Sequence, residues 1–380
     1  MNIKKIDPAL MQKSLTAGTN KLCCLVRASN FDQLKKLLLN RKIEIMDEYL
    51  FINSFFVKAD ISDIYFLSRM GAVRFISSNA EAMALMNVAR RVLNLPQNEL
   101  TGEGVGAAII DTGITKHCDF CLGENRIKKF VDFVGEKESA YDDNGHGTFV
   151  AGVLAGSGAK SAGRLKGIAP RANIYALKAL DKNGEAYSNK ILSAMEWVYD
   201  HHKKENIKVV CMSFGSEPLG LNDPIMNGAE ALWQDGVIVV AAAGNSGPEH
   251  ASIKSPGVSR RLITVGGMND NRFSDSIYSP QFFEIADFSS RGPSFKSFKP
   301  DIVAPAVEIS SCCNSGEYTK LSGTSVATPM IAGAMCLLIQ RYKDITPDEA
   351  KRRLMSCCRP ICYNKNLEGA GYPDLTQLLN

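Results

Sequence analysis

The chain has 380 residues, of which 45% are hydrophobic and 22% charged, an ordinary composition for a soluble globular protein. Its 44 basic and 40 acidic residues leave a net charge of +4, too small and too mixed to indicate a nucleic-acid partner. No apolar run approaches the roughly 18 residues of a membrane span, and no secretory signal follows the first lysines. We therefore expect a cytoplasmic protein without a membrane partner, whose 11 cysteines are free thiols.

The first 80 residues carry their own pattern of short strands and amphipathic helices. Strands are predicted for residues 21–28, 42–46, 49–57 and 72–77, and helices for residues 31–39 and 62–70. Asp47-Glu48 is interpreted as the turn between the middle strands, and Ser62 as the cap of the second helix. The resulting order β-α-β-β-α-β is that of a ferredoxin-like α+β unit. A generic α+β domain without a special role is the alternative.

A helical connector is predicted over residues 81–95. It leads into a region with a different sequence pattern, in which apolar strands alternate with helices. The strands are residues 105–110, 174–177, 209–212, 237–242 and 262–265, and the helices are residues 147–154, 188–201, 223–234 and 324–341. This alternation predicts a three-layer α/β/α domain, with a mostly parallel sheet covered on both faces. The domain assignment is residues 1–80 for the small unit, 81–100 for the connector and 101–380 for the α/β domain.

Four polar residues in the α/β region have the surroundings of reactive groups. Asp111 directly follows an apolar strand, where active residues of parallel sheets gather. His146 lies between two glycines and is the one histidine of five in such a small-residue setting. Ser325 stands at the start of an apolar helix, whose free N–H groups favour an oxyanion, and Asn245 ends a strand of small residues. Each of these residues alone also fits a plain turn or helix cap.

Together, and in this order, these segments resemble the subtilisin-like serine peptidases (subtilases), including their intracellular bacterial members. The resemblance runs from about residue 101 to residue 341 and includes residues 167–170 (GIAP) and 302–305 (IVAP). The order Asp, His, Ser is that of the family. It implies a serine endopeptidase in which Ser325 attacks the scissile carbonyl, His146 transfers the proton and Asp111 orients the imidazole. Asn245 would complete the oxyanion hole with the Ser325 N–H.

The resemblance further implies that a substrate peptide pairs as an added strand with two edge segments. These segments are Gly184, Glu185 and Ala186, and Ser213, Phe214 and Gly215. The first pocket should be walled by residues 213–215 and by Ala241, Ala242, Ala243 and Gly244, with its floor near Lys254. Family members often have a small residue at the floor. A lysine could shorten the pocket, attract an acidic side chain, or point to solvent.

Four features depart from the family pattern or bear on metals. Phe149 and Met330 stand where the family usually has histidines. Secreted relatives carry a calcium loop at the position of residues 156–166, but this stretch has no Asp, Glu or Asn. Calcium is therefore not predicted there, other calcium positions stay open, and the chemistry requires no cofactor or catalytic metal. The half-motif from His117 to Cys121 is interpreted as a loop, because a zinc site needs a second ligand pair.

In subtilases a ferredoxin-like prosegment often precedes the peptidase, and the N-terminal unit resembles it. This implies a zymogen whose partners are protein or peptide substrates and its own prodomain. The tail near residues 77–85 is expected to enter the substrate groove and to be cut by the enzyme itself. One alternative is a catalytically silent subtilase acting as a binding or regulatory module. Another is an aspartic peptidase using residues 111–113 (DTG), which would need a second such carboxylate.

Overall fold

The computed structural model describes residues 5–7, 10–11, 21–78, 85–96, 99–135, 137–271 and 280–380. These residues belong to two compact units, one containing the described residues up to 78 and the other containing those from 85 onward. No helix in these ranges combines the length and the apolar character needed to cross a bilayer.

The N-terminal unit is a four-stranded antiparallel sheet with two helices. Its elements are β1 (Leu22–Ala28), α1 (Phe31–Asn40), β2 (Glu44–Tyr49), β3 (Ser54–Ala59), α2 (Ile61–Arg69) and β4 (Val73–Ser78). The strands lie in the order β2-β3-β1-β4, and the predicted β-α-β-β-α-β order is confirmed. One core holds the unit together, because Cys24 and Val26 of β1 are buried with Leu34 and Leu38 of α1 and Leu67 of α2.

The predicted turn between the middle strands is misplaced. Asp47 and Glu48 belong to β2 and pair with residues of β3. Because β2 lies at the edge of the sheet, its charged side chains can face solvent, and they discourage pairing with another chain. The chain turns instead at the single 3₁₀ turn Leu50–Ile52, followed by Asn53 with φ at 50°. Asparagine tolerates this left-handed conformation better than most residues.

The predicted cap of the second helix is also wrong. The N-cap of α2 is Asp60, whose carboxylate accepts a hydrogen bond from the Asp63 N–H at 2.8 Å. The hydroxyl of Ser62 donates to the same Asp60 oxygen at 2.8 Å. Aspartate caps helices as well as serine does, so the residue types did not discriminate between the two positions.

The second unit is built on an eight-stranded sheet. Its strands are β5 (Gly106–Asp111), β6 (Ile127–Asp132), β7 (Asn173–Lys178), β8 (Ile207–Met212), β9 (Ile238–Ala242), β10 (Ile263–Asn269), β11 (Glu284–Ile285) and β12 (Ile302–Pro305). Their order is β11-β10-β9-β8-β5-β7-β6, with β12 also beside β10. Among these described strands every pairing is parallel except that of β10 with β11.

Helices and two small hairpins complete this unit. The helices are α3 (Leu85–Val92), α4 (Cys118–Cys121), α5 (His146–Ala155), α6 (Ser188–His201), α7 (Pro224–Gln234), α8 (Thr324–Arg341), α9 (Pro347–Ser356), α10 (Lys365–Glu368) and α11 (Leu375–Leu379). The hairpins are β13 (Ile309–Cys312) with β14 (Tyr318–Leu321), and β15 (Cys358–Arg359) with β16 (Tyr372–Pro373).

Most predicted elements of this unit are confirmed to within two residues, and two differ more. The predicted connector helix is shorter, as α3, and residues 81–84 lie outside the described residues. Strand β10 runs on to Asn269. Strand β6 was not predicted, because its sequence IKKFVD contains two adjacent lysines, which stay exposed at the edge of the sheet. Such a strand presents no continuous apolar run.

The core of the second unit contains both positions at which the chain departs from the family pattern. Phe149 on α5 and Met330 on α8 are fully buried among the apolar residues of the sheet and helices. All six residues of β5 are buried as well. The apolar side chains at positions 149 and 330 therefore serve as packing residues of the two helices that begin with His146 and Thr324.

We expect Phe149→Ala to lower the free energy of unfolding by about 3–5 kcal/mol, because truncating a buried phenylalanine removes apolar contacts and leaves a cavity. Urea unfolding at neutral pH measures the change. Phe298→Ala is the matched control, since Phe298 is 60% exposed, and it should change stability by less than about 1 kcal/mol. A similar loss for both variants would contradict the assignment of Phe149 to the core.

Candidate active site

Four neighbouring strands bring the predicted site residues to one end of the large sheet. The strands β9, β8, β5 and β7 are adjacent and parallel, so their carboxyl ends coincide. Asp111 is the last residue of β5, and Asn245 follows β9. Residues 213–215 follow β8, and residues 184–186 lie in the loop after β7. The carboxyl end of a parallel sheet is where loops converge around reactive groups.

The acid and the imidazole predicted from the sequence are in direct contact. Asp111 Oδ1 lies 2.7 Å from His146 Nδ1. The aspartate is buried, whereas the histidine side chain keeps 24% of its surface exposed. Asp111 Oδ1 also accepts the Thr112 N–H at 2.7 Å, and its other oxygen is buried without a hydrogen-bond partner among the described residues. The imidazole is therefore the main charge partner of this carboxylate.

The charge of Asp111 decides the protonation of His146. Burial alone would lower the pKa of His146, but the Asp111 carboxylate and its hydrogen bond raise it by more. The pKa of His146 therefore lies above its ordinary value of 6.5. An imidazole whose pKa is raised by a neighbouring carboxylate holds a proton more readily, as the base in a proton transfer must.

A second buried carboxylate, Asp142, joins the end of β5 to the first turn of α5. Its Oδ1 accepts the Thr112 hydroxyl at 2.9 Å and the Gly145 N–H at 2.7 Å. Its Oδ2 accepts the Thr148 N–H at 2.8 Å and the Thr148 hydroxyl at 2.7 Å. Because Thr112 follows Asp111 in the sequence and residue 148 lies two beyond the histidine, these bonds set the spacing between acid and base.

Asp142 was not predicted from the sequence. Burial raises its pKa, but hydrogen bonds from Thr148, Gly145 and Thr112 outweigh burial and hold the pKa below its ordinary value. A charged carboxylate is therefore part of the folded state at neutral pH. The available signal was an acidic residue four positions before His146, but nothing in the sequence shows that it points inward.

Lys178 is a second buried residue of this region that was not predicted from the sequence. Its ammonium donates hydrogen bonds to the carbonyl oxygens of Thr112 at 2.6 Å and Leu180 at 3.0 Å, and it pairs with Asp143 at 2.7 Å. A buried ammonium needs such partners to offset its lost hydration. Lys178 thus fixes the backbone just beyond the end of β5.

Asn245 and Ser325 face a common space at the start of α8. The amide oxygen of Asn245 accepts the N–H and the hydroxyl of Thr324 at 2.9 and 3.0 Å, which turns its NH₂ group the other way. Both Asn245 Nδ2 and Ser325 Oγ lie close to Gly323, because a Cβ built on this glycine would be 3.2 Å from each of the two atoms. The Ser325 N–H has no hydrogen-bond partner among the described residues. Two N–H donors are thus available beside one hydroxyl.

Helices α5 and α8 bring Ser325 and His146 to the same end of the sheet, although no hydrogen bond joins them in the described structure. Helix α5 begins at the Asp111 contact, and α8 begins beside Asn245. A Cβ at Gly333 would lie 3.1 Å from the Leu154 carbonyl oxygen. Each of these residues is eight positions beyond Ser325 or His146, so the two helices start at the same end of the sheet and contact each other about two turns further on. Catalytic hydrogen bonds are often long without substrate.

The predicted substrate segments lie around this end of the sheet. Gly184, Glu185 and Ala186 are exposed, and Asn144 beside the histidine donates to the Lys182 carbonyl at 3.0 Å in the same loop. Of the residues after β8, Ser213 is buried, Phe214 is half-buried and Gly215 is exposed. Ala241, Ala242, Ala243 and Gly244 are all buried. Lys254 adjoins this second segment, since its N–H donates to the Ala243 carbonyl at 2.9 Å.

Residues 102–372 match the family model of the subtilases. The chain belongs to the subtilase family. Serine protease AprX of Bacillus subtilis (strain 168) is 39% identical over 315 residues, covering 76% of this chain and 70% of that protein. Subtilisin BL of Lederbergia lenta is 34% identical over 273 residues, covering 72% and 89%. The solved structure of the S41 psychrophilic protease is 28% identical, covers 77% of this chain and 99% of its own, and has a TM-score of 0.67.

These comparisons confirm the predicted subtilisin-like fold and the enzyme class. This subtilase is a serine endopeptidase.

The 156–166 loop of the subtilase is held by hydrogen bonds to a buried carboxylate. Backbone N–H groups of residues 158 and 160 donate to the Asp119 carboxylate at 3.0 and 3.1 Å.

One group of side chains in the described part of the subtilase is close enough to share a metal ion: His117, Asp119 and Cys312, all buried. The Asp119 carboxylate already accepts hydrogen bonds from the 158–160 loop, the Tyr318 hydroxyl at 2.9 Å and the Cys312 thiol at 3.6 Å. Burial raises the pKa of the Cys312 thiol far above its ordinary value, so it stays protonated. In the described structure the Cys312 thiol and the Tyr318 hydroxyl are thus joined to Asp119 by hydrogen bonds within the protein.

The role of the charged Asp142 carboxylate can be tested by measuring the free energy of unfolding at several pH values. We expect Asp142→Asn to lower the free energy of unfolding by about 2–3 kcal/mol at pH 7, because a buried charge-assisted hydrogen-bond acceptor is lost. The native pKa of Asp142 is depressed, so its contribution is present above the unfolded-state value of about 3.9 and is lost as the pH falls further. Urea unfolding at pH 7, 5, 4 and 3 should show the two proteins converging below about pH 4.

The control for this test is Asp344→Asn, which changes the charge by the same amount at an exposed position. It should alter stability by less than about 0.5 kcal/mol at every pH. A difference between wild type and Asp142→Asn that stays constant or grows as the pH falls would refute the role of the charged carboxylate.

Proposed function

We propose that this subtilase hydrolyses peptide bonds through an acyl-enzyme, with Asp111, His146 and Ser325 as its catalytic triad. The observation that carries the proposal is the 2.7 Å contact between the buried Asp111 carboxylate and the His146 imidazole, at the start of the helix that runs beside the Ser325 helix. A buried carboxylate paired with a partly exposed imidazole is the arrangement that activates a hydroxyl.

In the proposed reaction, Ser325 Oγ forms a bond to the scissile carbonyl carbon while His146 Nε2 takes its proton. Asp111 holds the Nδ1 proton and stabilises the imidazolium that results. His146 then gives a proton to the leaving amine, and a water molecule releases the acyl group by the same steps in reverse. We propose that this chemistry needs no cofactor, because the chain itself supplies the nucleophile, the base and the anion-binding groups.

The oxyanion that forms at the scissile carbonyl would be bound by Asn245 Nδ2 and by the Ser325 N–H. The Asn245 amide is held in the required orientation by Thr324, so donation costs little reorganisation. The Ser325 N–H belongs to the first turn of α8, where the helix dipole adds to the attraction for negative charge. A substrate peptide would pair with residues 184–186 on one side and 213–215 on the other.

The triad and the oxyanion hole are tested by two variants. Ser325→Ala should abolish peptide hydrolysis and labelling by a fluorophosphonate probe, because the nucleophilic oxygen is absent. Asn245→Ala should lower kcat by about 10²–10³-fold with little change in KM, because its donor binds charge that develops in the transition state. Asn222→Ala, at an exposed asparagine, should leave both constants unchanged. Wild-type protein that takes no label would instead support the silent binding module.

We further propose that the N-terminal unit is a prosegment and that the enzyme is made as a zymogen. Support comes from the four-stranded, two-helix unit that precedes the residues matched by the family model. The predicted cleavage segment, residues 77–85, falls mostly outside the described residues. A unit with its own apolar core can fold separately and be released after cleavage.

Self-processing predicts a change of mass that depends on Ser325. Purified wild-type protein should lose the residues before the cleavage segment during incubation at neutral pH, whereas Ser325→Ala should keep its full length. Mass spectrometry of the intact protein and of its new N-terminus measures both. Adding active enzyme to Ser325→Ala separates cleavage within one molecule from cleavage between molecules. Identical N-termini for wild type and Ser325→Ala in isolation would show that the enzyme does not process itself.

We also propose that the subtilase works in a reducing compartment such as the cytoplasm. All 11 cysteines are free thiols, and five of them are buried. Burial raises the pKa of the Cys24 and Cys211 thiols to about 12, which keeps them protonated and inert.

A further inference from the structure

Lys254 lies between the two backbone segments that are proposed to wall the first substrate pocket. A Cβ added at Gly215 would stand 2.6 Å from Lys254 Cβ, and one added at Gly244 would stand 2.5 Å from Lys254 Cγ. The lysine stem therefore contacts both segments at positions where only glycine leaves room. Its backbone is held there too, because Ser216 and Ser255 exchange hydrogen bonds of 2.9 Å in both directions.

Among the described residues the charged end of this lysine has one ionic partner, which is much more exposed than the lysine itself. The Lys254 ammonium contacts the Glu217 carboxylate. The lysine side chain keeps 19% of its surface exposed, whereas the glutamate keeps 78%. An exposed ion pair contributes little to stability, because water and salt screen it and both side chains lose freedom. Glu217 can therefore turn into solvent at small cost, whereas the lysine stem is packed against Gly215 and Gly244.

From this geometry we propose that Lys254 makes the subtilase selective for an acidic residue immediately before the cleaved bond. The inference rests on the proposed peptidase function and names its substrate class. An aspartate or glutamate side chain entering between the 213–215 and 241–244 segments would replace Glu217 as the partner of the ammonium. The new pair would be less exposed than the old one, and a pair shielded from water is electrostatically stronger.

The size of the lysine supports the same selectivity. Its stem occupies the space between Gly215 and Gly244, so a long apolar side chain would have to share that space with methylene groups already present. A basic side chain would meet the Lys254 ammonium and could pair only with Glu217, which lies mostly in water. Like charges brought together at a binding site lower affinity, and a pair with the exposed Glu217 carboxylate would offset little of that loss.

Four peptides that differ only in the residue before the cut test the inference: Glu, its uncharged isostere Gln, Leu and Lys. The expected kcat/KM of wild-type enzyme is about tenfold higher for the Glu peptide than for the Gln peptide. Lys254→Met keeps the stem and removes the charge, so it should bring the Glu-to-Gln ratio close to one. Glu217→Gln removes the competing carboxylate and should raise kcat/KM for the Glu peptide about two- to fivefold. Lys343→Met, an exposed lysine after α8, should leave all ratios unchanged.

Two different failures can be told apart. Ser325-dependent hydrolysis of all four peptides with equal kcat/KM for Glu and Gln, or a Glu-to-Gln ratio that survives Lys254→Met, would overturn the selectivity alone. If wild-type enzyme hydrolyses none of the peptides faster than Ser325→Ala does, the proposed function and this inference are both wrong. Measuring at two salt concentrations gives a further readout, because the preference for Glu should weaken as ionic strength rises.

Discussion

A carboxylate removed from water is stable only beside groups that replace its hydration, and Asp111 depends on such groups. The His146 imidazole and the Thr112 N–H both contact one of its oxygens at 2.7 Å. Thr112 is held in turn by Asp142, which accepts its hydroxyl hydrogen bond, and by Lys178, which donates to its carbonyl oxygen. Burying a charge without such partners would cost several kcal/mol. The network is thus a condition for folding this end of the sheet as well as an arrangement for proton transfer.

The parallel sheet explains why distant parts of the sequence meet. Strands β9, β8, β5 and β7 end together, and each is followed by a segment with a proposed role in binding or chemistry. The helices α5 and α8 then start at the same end and pack along each other below it. Phe149 and Met330 form part of this packing, so the two departures from the family pattern lie in the core that positions the helices.

The sequence predicted those parts of the molecule that rest on local patterns. Apolar runs predicted β5, β8 and β9, the flanking glycines pointed to His146, and the start of an apolar helix pointed to Ser325. Side chains whose role depends on which way they point were not predictable, and Asp142 and Lys178 belong to this class. Edge strands were also difficult, because β2 and β6 carry charged residues that interrupt the apolar pattern. Lys254 was placed near the pocket by resemblance, but its exposed partner Glu217 was found only from coordinates.

The proposed catalytic groups occur in an order that has a consequence during translation. Asp111 and His146 belong to segments that leave the ribosome before α8, the helix that carries Ser325. Helix α8 also supplies the residue that orients Asn245. A nascent chain therefore lacks both the proposed nucleophile and the residue that orients Asn245 until α8 has been made. Such a chain would not cleave peptide bonds by the proposed mechanism.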